Sequence, residues 1–282
     1  MPDFGSFRGF GEKLAQGQTP TQLGTIGSLS VFDPDYINFS NRVIAAGGTL
    51  SSVEILATNQ LVLDMKSAGI WSAMKAVYPI VGASSASCAQ NLVSSTYTGT
   101  FSGGWTFESS GITGNATSGF MDTFFNPFLE SGVGANDMHL SGYITNLTTK
   151  SLSSIISGYD ATRETGLTSD NLIFYSEIND SVFTNISAAI LTQPAFYLGM
   201  KNGTGNNILF RNSTKIINGA NVSTNKMNCK LYVGAQFRSA GATRYGNNKI
   251  AFISIGNGLT DTQSADFYTA VQAFQTSLSR QV

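Results

Sequence analysis

Residues 231–255 predict two β-strands joined by a turn, and no other part of the chain restricts the fold as strongly. The segment LYVGAQF at 231–237 is short, apolar and aromatic, which is typical of a buried strand. Residues 238–248 are dense in Gly, Ser, Ala and Asn, as expected for a hairpin or loop. The segment KIAFISI at 249–255 then predicts a second strand, which ends at a Gly-Asn-Gly sequence.

A helix is predicted directly after these strands. Thr260 and Gln263 match a capping box, in which each side chain satisfies a backbone N–H group of the first turn. We expect this helix to end near Ser279. Its apolar residues recur at three- and four-residue steps and form one stripe, which is suited to packing on a sheet. The stripe consists of Phe267, Val271, Phe274 and Leu278.

The composition favours a globular β protein with an uncharged polar surface. Hydrophobic residues make up 41% of the 282 residues, enough for a substantial core in one large or two smaller domains. Charged residues account for only 12%, against about 25% in ordinary soluble domains, and Ser, Thr, Asn and Gly supply the polar positions. The net charge of −1 and the scattered Lys and Arg residues argue against nucleic-acid binding.

The two cysteines and the chain's first residues bear on its compartment. Cys88 and Cys229 are compatible with one disulfide, but two reduced, buried thiols are the favoured interpretation. We find no secretory signal at the start and no apolar run of about 18 residues that would span a bilayer. The expectation is therefore synthesis in a cytoplasm, without membrane insertion.

Residues 33–82 predict a small helical subdomain. A first helix has Asp33 as its N-cap, with Pro at the first helical position, and ends at Gly47. A second helix opens with the capping box Ser-Ser-Val-Glu at 51–54. Large apolar residues on one side of residues 70–78 predict a further turn or two of helix before Pro79.

The remainder, residues 83–282, predicts a β-sandwich domain that includes the C-terminal helix. Short apolar runs alternate with turns rich in Gly, Asn and Ser, and many short strands at near-regular spacing indicate a sandwich or barrel. Strands are expected at 103–107, 139–144, 172–175, 195–199, 207–210 and 215–217.

Residues 1–32 predict an extended arm instead of a domain. Frequent glycines make a helix there costly, and the apolar groups are too few for a core. An arm of this kind needs a surface to bind, either a neighbouring chain or the body of its own protein. The first alternative predicts a homo-oligomer, with a trimer as the expected order.

The residue types that usually carry catalysis form no recognisable pattern, so we expect no enzymatic activity. His139 is the only histidine, it opens an apolar strand, and no nucleophile-elbow sequence accompanies it. Paired carboxylates are the requirement for glycoside hydrolysis, but none of the candidates carries a local signature. These candidates are Glu108, Asp122, Glu130, Asp137, Asp160 and Glu177.

Cofactor and metal sites are likewise not predicted, whereas sugar stacking has candidates. Calcium would be sought at residues 136–137 and 179–180, but these Asn-Asp pairs are equally common turn formers. Aromatic side chains near Gly-rich loops could stack on sugar rings, although aromatics in β-sandwiches mostly belong to the core. The candidates for glycan stacking are Trp105, Tyr159, Tyr175 and Tyr245.

Several segments resemble a group of tailed-phage virion proteins that carry a concanavalin A/laminin-G-like jelly roll. The strand–turn–strand–helix order at 231–278 is similar to the closing segment of such jelly rolls. The sequence FRGFGEKLAQGQTPTQLG at 7–24 resembles their N-terminal segment, and residues 51–82, with GIWSAMKAVYP, resemble the segment before the jelly roll. GITGNATSGFMDTFFNP at 111–127 is similar to the pattern GxTGxxxxGxxDTxxNP that precedes their core strands.

The resemblance implies a mainly β jelly-roll sandwich with an N-terminal arm, a helical subdomain and a C-terminal amphipathic helix. It also implies a structural virion protein, of the fibre, collar or capsid-associated type, made in the host cytoplasm. The arm would attach to other virion proteins through Phe4, Phe7, Arg8 and Phe10, and the jelly roll would be displayed outward, where it could bind the host surface. The alternatives are a carbohydrate-binding adhesin that acts as the receptor-binding protein and a polysaccharide depolymerase.

Overall fold

The protein is a β-sandwich with helices packed against one of its two sheets. The computed structural model describes residues 32–171, 173–181, 187–188, 193–203, 205–239 and 241–282. Asp33–Val282 form one compact unit. The mainly β prediction, with a helical N-terminal part and a C-terminal helix, is confirmed. The predicted arm, except for its last residue Phe32, lies outside the described residues. No described helix is long and apolar enough to cross a membrane.

The helices are α1 (Pro34–Ala45), α2 (Ser52–Ser67), α3 (Ser85–Cys88) and α4 (Asp261–Ser277). The strands are β1 (Met74–Tyr78), β2 (Thr100–Ser102), β3 (Trp105–Glu108), β4 (Gly111–Gly114), β5 (Phe120–Asp122), β6 (Asp137–Asn146), β7 (Ser153–Tyr159), β8 (Glu164–Asp170), β9 (Ile173–Asp180), β10 (Ser187–Ala188), β11 (Ala195–Asn202), β12 (Asn206–Arg211), β13 (Thr214–Ala220), β14 (Tyr232–Val233), β15 (Gln236–Arg238), β16 (Gly241–Thr243) and β17 (Lys249–Gly256).

The three long helices begin where their capping residues predict. The Asp33 carboxylate accepts from the backbone N–H of Asp35 at the start of α1, where Pro34 is the first helical residue. Both hydrogen bonds of each predicted capping box are present, at the start of α2 and at the start of α4. Helix starts are predictable from sequence because cap and capped group are only two or three residues apart.

The helix predicted at residues 70–78 is wrong. Only Trp71–Ala73 form a single 3-10 turn, and Met74–Tyr78 form strand β1, which pairs antiparallel with β17. Ala76, Val77 and Tyr78 are all fully buried. Pairing with β17 satisfies the backbone of this short apolar run, which periodicity alone could not distinguish from a buried helix.

The prediction of one continuous strand at 231–237 is also wrong. It is divided into β14 and β15 at Gly234, whose φ of +75° breaks the extended conformation. A Cβ atom at this position would lie 2.5 Å from Cη2 of Trp105. Glycine is therefore required both by the backbone angle and by the close approach of the indole ring.

The described strands form an eight-stranded and a nine-stranded sheet. The first has the order β13-β12-β11-β6-β17-β4-β3, with β1 added on the β17 edge. The second has the order β10-β9-β8-β7-β14-β5-β2, and β15 joins β7 in parallel and forms a hairpin with β16. Apolar side chains from both sheets fill the space between them, as where the Phe174 ring stacks on Tyr197 at a centroid distance of 4.0 Å.

Both thiols are free and buried, in agreement with the favoured interpretation of the cysteines. Burial raises the pKa of Cys88 and of Cys229 to about 12. These thiols therefore stay protonated at neutral pH and behave as small apolar side chains.

Helix α4 covers the outer face of the eight-stranded sheet. The Phe267 ring packs edge-on against Phe196 of β11 and Phe252 of β17, at centroid distances of 5.3 and 6.0 Å. After the helix, the buried Arg280 guanidinium donates to the carbonyl groups of Pro79, Ile80 and Ala251. Helix α2 packs against α4, and α1 against α2. One outer face of the sandwich is thus occupied by helices, and the polar outer face of the other sheet holds the candidate site.

Candidate binding site on the nine-stranded sheet

Polar side chains project from the outer face of strands β7, β8 and β9. Directly paired residues of neighbouring strands lie on the same face of a sheet. Ser157 pairs with Gly166, and Gly166 pairs with Glu177, so these three positions share one face. The opposite face, with Leu167 and Ile178, belongs to the core. Glu177 is therefore directed away from the core.

A pocket of about 320 Å³ opens at the end of these strands. Its volume lies near the lower limit of pockets that hold small ligands, about 300–1,000 Å³. The lining is polar, with one aromatic ring, three carboxyl groups and three hydroxyl groups, and no Lys or Arg is among the described residues that line it. The lining residues are Tyr159, Ala161, Thr162, Glu164, Glu177, Asp180 and Ser181.

Glu164 is the centre of the hydrogen-bond network in this pocket. It is 2% exposed, and its Oε1 atom accepts from Arg244 Nη1 at 3.0 Å and from Gln236 Nε2 at 2.6 Å. The Glu177 carboxyl shares a further hydrogen bond with Glu164. Because Glu164 already accepts from two donors, the proton of the carboxyl pair belongs to Glu177.

The environment of Glu177 favours its neutral form. Burial raises the pKa of the Glu177 carboxyl above its ordinary range, and the neighbouring Glu164 and Asp180 raise it further. Arg244 opposes this shift, but Arg244 is bound to Glu164. Two adjacent carboxyl groups in a desolvated site cannot both ionise without a large electrostatic cost.

This arrangement predicts a pH-dependent loss of stability that Glu177→Gln should abolish. In the unfolded chain Glu177 loses its proton above about pH 4.5, whereas the folded protein retains it to a higher pH. The unfolded state is thus favoured as the pH rises through this window, by at most about 1.4 kcal/mol per pH unit. Urea denaturation at several pH values should show the unfolding free energy of the wild type falling relative to that of the variant. If the unfolding free energies of the wild type and the variant instead change with pH in parallel, Glu177 is already charged in the folded protein.

Asp180 connects the pocket to the interior between the sheets. Its Oδ1 atom accepts from Lys201 Nζ at 2.8 Å, and its other oxygen accepts from Asn207. The side chains of Lys201 and Asp180 are 0% and 2% exposed. Burial lowers the pKa of Lys201 and raises that of Asp180, while their mutual attraction opposes both shifts. The pair forms a buried polar support beneath the pocket.

Among the four predicted stacking residues, Tyr159 is the one that lines the pocket. The Arg238 guanidinium lies 4.4 Å from the centroid of its ring, and the Tyr159 hydroxyl donates to the carbonyl of Ala161. Tyr175 is half-buried on the same outer face, two residues before Glu177, and the two side chains interact electrostatically. The structure therefore brings Tyr159 to the pocket of the carboxyl pair and leaves Tyr175 outside the pocket lining.

Trp105 and Tyr245 lie elsewhere. The Trp105 indole donates to the carbonyl groups of Ser102 and Phe120, and its ring packs edge-on against Phe101 at 5.2 Å. Trp105 therefore has a packing role. Tyr245 is half-buried beside Tyr232, outside the pocket lining.

Of the remaining candidates, His139 makes only contacts that stabilise the fold, and the residues of the predicted attachment arm lie outside the described residues. His139 is fully buried, and its two ring nitrogens lie 2.5 Å from the Asn257 carbonyl and 2.9 Å from Ser254 Oγ. Burial lowers the pKa of His139 to about 4, so the ring is neutral at physiological pH. Phe4, Phe7, Arg8 and Phe10 of the predicted attachment arm lie outside the described residues.

The two positions considered for calcium are occupied by hydrogen bonds within the protein. Asp137 accepts from the Gly258 backbone and from Asn257, and Asn136 binds the backbone of Ser223. Asn179 accepts from Met227. Within the described part of the chain, no group of three or more His, Cys, Asp or Glu side chains is arranged to hold a metal ion.

Sequence reasoning missed Glu164, Gln236 and Arg244. Glu177 was considered only as one carboxylate among six, without its partner. Alternation of polar and apolar residues along β8 and β9 is a signal for an outward-facing polar row. It does not reveal which residues meet, because Glu164 and Arg244 are 80 positions apart and meet only through strand register.

Comparison with known proteins defines the fold and no more. No family model matches the chain, and no curated protein matches its sequence. Domain 4 of AbnA, a GH43 extracellular arabinanase from Geobacillus stearothermophilus solved with arabinotriose, is similar with a TM-score of 0.50 and 14% identity, covering 69% of this chain and 97% of that one. Trypanosoma rangeli sialidase in complex with sialic acid is similar with a TM-score of 0.52 and 10% identity, covering 70% of this chain and 33% of the sialidase.

This chain thus spans nearly the whole arabinanase domain but about a third of the sialidase. At such low identities the similarity establishes a shared β-sandwich fold. The class defined by fold and pocket is a β-sandwich protein with a polar pocket on the outer face of one sheet.

Proposed function

We propose that this protein is a glycan-binding β-sandwich and that the pocket beside Tyr159 is its binding site. The observation that carries the proposal is the combination of an aromatic wall with a hydrogen-bonding floor formed by Glu164 and Glu177. Sugars offer apolar ring faces and many hydroxyl donors, and both groups find partners in such a pocket. The sandwich shared with an arabinanase domain that was solved with arabinotriose supports the same function.

The geometry favours binding over hydrolysis. Glycosidases hold their two carboxyl groups about 5–9.5 Å apart, so that substrate or water fits between them. Glu164 and Glu177 share a hydrogen bond, which leaves no such space. A carboxyl pair of this kind can orient a ligand but is not arranged to attack and protonate a glycosidic bond. A depolymerase is therefore the less favoured alternative.

Replacing Tyr159 by Ala is the direct test of the binding site. A glycan array first identifies a ligand, and calorimetry then compares wild type and variant. We expect Tyr159→Ala to weaken binding about tenfold, which corresponds to roughly 1.4 kcal/mol from the lost aromatic wall. Tyr268→Ala is the matched control, because Tyr268 lies on α4 and packs near Phe196 on the other sheet. Failure of the wild type to bind any glycan on the array would overturn the proposal.

The resemblance of residues 7–24, 51–82 and 111–127 to phage proteins suggests where this protein acts. We propose that it is a structural virion subunit, of the fibre, collar or capsid-associated type, and that its pocket faces the host surface. The N-terminal arm attaches it to other virion proteins, and the subunit is a homo-oligomer, expected to be a trimer. The exposed apolar side chains of Val53 and Leu56 on α2 are consistent with such an assembly.

Deletion of residues 1–29 tests the attachment arm. Each of Phe4, Phe7 and Phe10 could contribute roughly 1.5–3 kcal/mol if its ring is buried against another virion protein. We expect the truncated protein to retain its circular dichroism spectrum and melting temperature but to be absent from assembled particles. Unfolding of the truncated body would show that the arm belongs to the protein's own core. Incorporation of the truncated protein would place attachment elsewhere, with residues 33–82 as the next candidate.

A further inference from the structure

Lys201 holds an amine in contact with a carboxyl group in the interior between the two sheets. Its side chain is fully buried, and its Nζ atom lies 2.8 Å from Oδ1 of Asp180, whose side chain is 2% exposed. Lys201 belongs to β11 of the eight-stranded sheet, and Asp180 ends β9 of the nine-stranded sheet. A nucleophile and an acyl group therefore meet across the two layers of the sandwich, shielded from water.

The surroundings of Lys201 give access to the neutral, nucleophilic form of the amine. Among the described residues, Nζ donates to two acceptors, Asp180 Oδ1 and Ser223 Oγ. An ammonium group has three donors, whereas a neutral amine has two and a free lone pair. Burial also lowers the pKa of Lys201 and raises that of Asp180. Transfer of the proton from Nζ to Oδ1 therefore costs less here than it does in water.

Two further side chains are placed where an amide between Lys201 and Asp180 would need them. Asn207 of β12 donates from Nδ2 to Oδ2 of Asp180, the atom that would become the amide carbonyl oxygen. Ser223 Oγ accepts from Nζ at 2.5 Å and donates to the backbone carbonyl of Asn179 at 2.7 Å. Its oxygen remains available to accept from the N–H group of an amide. Both polar groups of the amide thus have partners already in place, as a buried amide requires.

We propose that Lys201 and Asp180 condense into an intramolecular isopeptide bond that ties β11 to β9. The ammonium proton passes to Oδ1 along the existing hydrogen bond, and the free amine attacks Cγ. Negative charge develops on Oδ2, where Asn207 donates. Nζ then gives a second proton to Oδ1, the Cγ–Oδ1 bond breaks, and a water molecule leaves. One ammonium and one carboxylate thus become one neutral amide and water, without an oxidant or a cofactor.

Burial favours both the equilibrium and the rate of this reaction. In water, hydration stabilises the ionised amine and carboxylate, but here both charges are desolvated and the amide removes both of them. Contact between the reacting groups also replaces a bimolecular encounter, and in well-oriented cases this equals an effective concentration of about 10⁵–10⁸ M. The released water has an exit, because Asp180 lines the pocket on the nine-stranded sheet.

Mass spectrometry of the purified full-length protein tests the bond. We expect the intact mass to fall short of the sequence mass by one water molecule. Trypsin cuts after Lys and Arg, so an unbonded chain yields residues 164–201 and 202–211 as separate peptides. An amide on Nζ blocks the cut after Lys201, and one peptide of residues 164–211 should appear, lighter by one water. Its fragment ions should locate the link at Asp180.

Lys201→Arg is the matched variant, because a guanidinium group keeps the positive charge but does not condense with a carboxyl group. Its intact mass should equal its sequence mass. Asn207→Ala keeps both reacting groups but removes the hydrogen bond to Oδ2, so the bond should form about a hundredfold more slowly in newly synthesised protein. Lys215 and Asp261 are an internal control, because their Nζ–Oδ2 distance is 2.7 Å but the pair is open to solvent. Trypsin should cut normally after Lys215.

Three results would overturn the inference. The first is a wild type of full sequence mass that is cut after Lys201. The second is loss of one water with the cut after Lys201 intact, which would indicate a succinimide at an Asp residue. The third is a blocked cut with loss of ammonia, which would place the bond on Asn207 instead of Asp180. None of these results decides the glycan-binding proposal, whose test is Tyr159→Ala.

Discussion

Replacing Phe274 by Ala is expected to lower the free energy of unfolding by about 3–5 kcal/mol. The Phe274 ring is 2% exposed and lies between two elements of the fold. It packs against Phe252 of β17 at a centroid distance of 6.5 Å, and the Arg280 guanidinium lies 5.3 Å from its centroid. Truncation removes buried apolar area and leaves a cavity between α4 and the sheet, which adds to the loss.

Chemical denaturation of the variant and of Thr269→Ala provides the measurement and its control. Thr269 is exposed on the same helix, so its replacement should change the unfolding free energy by no more than about 0.5 kcal/mol. A loss below about 1 kcal/mol for Phe274→Ala would contradict close packing of α4 on the eight-stranded sheet.

Replacing Lys201 by Met should be about as costly, at roughly 3–5 kcal/mol, because it leaves the buried Asp180 carboxylate without its counter-charge. Met retains most of the side-chain volume, so the expected effect is electrostatic. Ser223 Oγ, which accepts from Lys201 Nζ at 2.5 Å, would also lose its donor. Asp180 lines the pocket, so this variant should weaken glycan binding as well.

The double variant Lys201→Met/Asp180→Asn separates lost charge pairing from lost packing. Without a carboxylate there is no buried charge to compensate, and we expect the double variant to recover at least half of the lost stability. A loss in the single variant of less than about 1 kcal/mol would show that Asp180 is uncharged in the folded protein. A double variant as unstable as the single one would assign the cost to packing.

Local sequence was sufficient for the features that depend on residues close together in the chain. Asp33, Ser51 and Thr260 begin their helices as predicted, because each cap binds backbone groups two or three residues away. The stripe of α4 was also predictable, and Phe267, Val271 and Phe274 are buried as expected. Leu278 is only half-buried, because the helix ends at Ser277 and Leu278 is its C-cap.

At two places the sequence alone could not predict how the strands pair. Residues 74–78 are apolar without a decisive period, and only the available edge of β17 makes them a strand. Gly234 interrupts the run at 231–237 because the Trp105 ring occupies the space beside it, and Trp105 is more than a hundred residues earlier in the chain. In both cases a distant partner overrides the local preference.

The sequence by itself determined a mainly β chain of low charge, the starts of its three long helices and the apolar stripe of its last helix, because these depend on composition and short-range periodicity. Only the tertiary structure decided where the pocket lies and which groups meet there. Glu164, Glu177, Gln236 and Arg244 carry no shared local signal, and strand register and sheet order bring them together. The unusual protonation of Glu177 follows from the same cause, since burial and neighbouring charges exist only once the strands are paired.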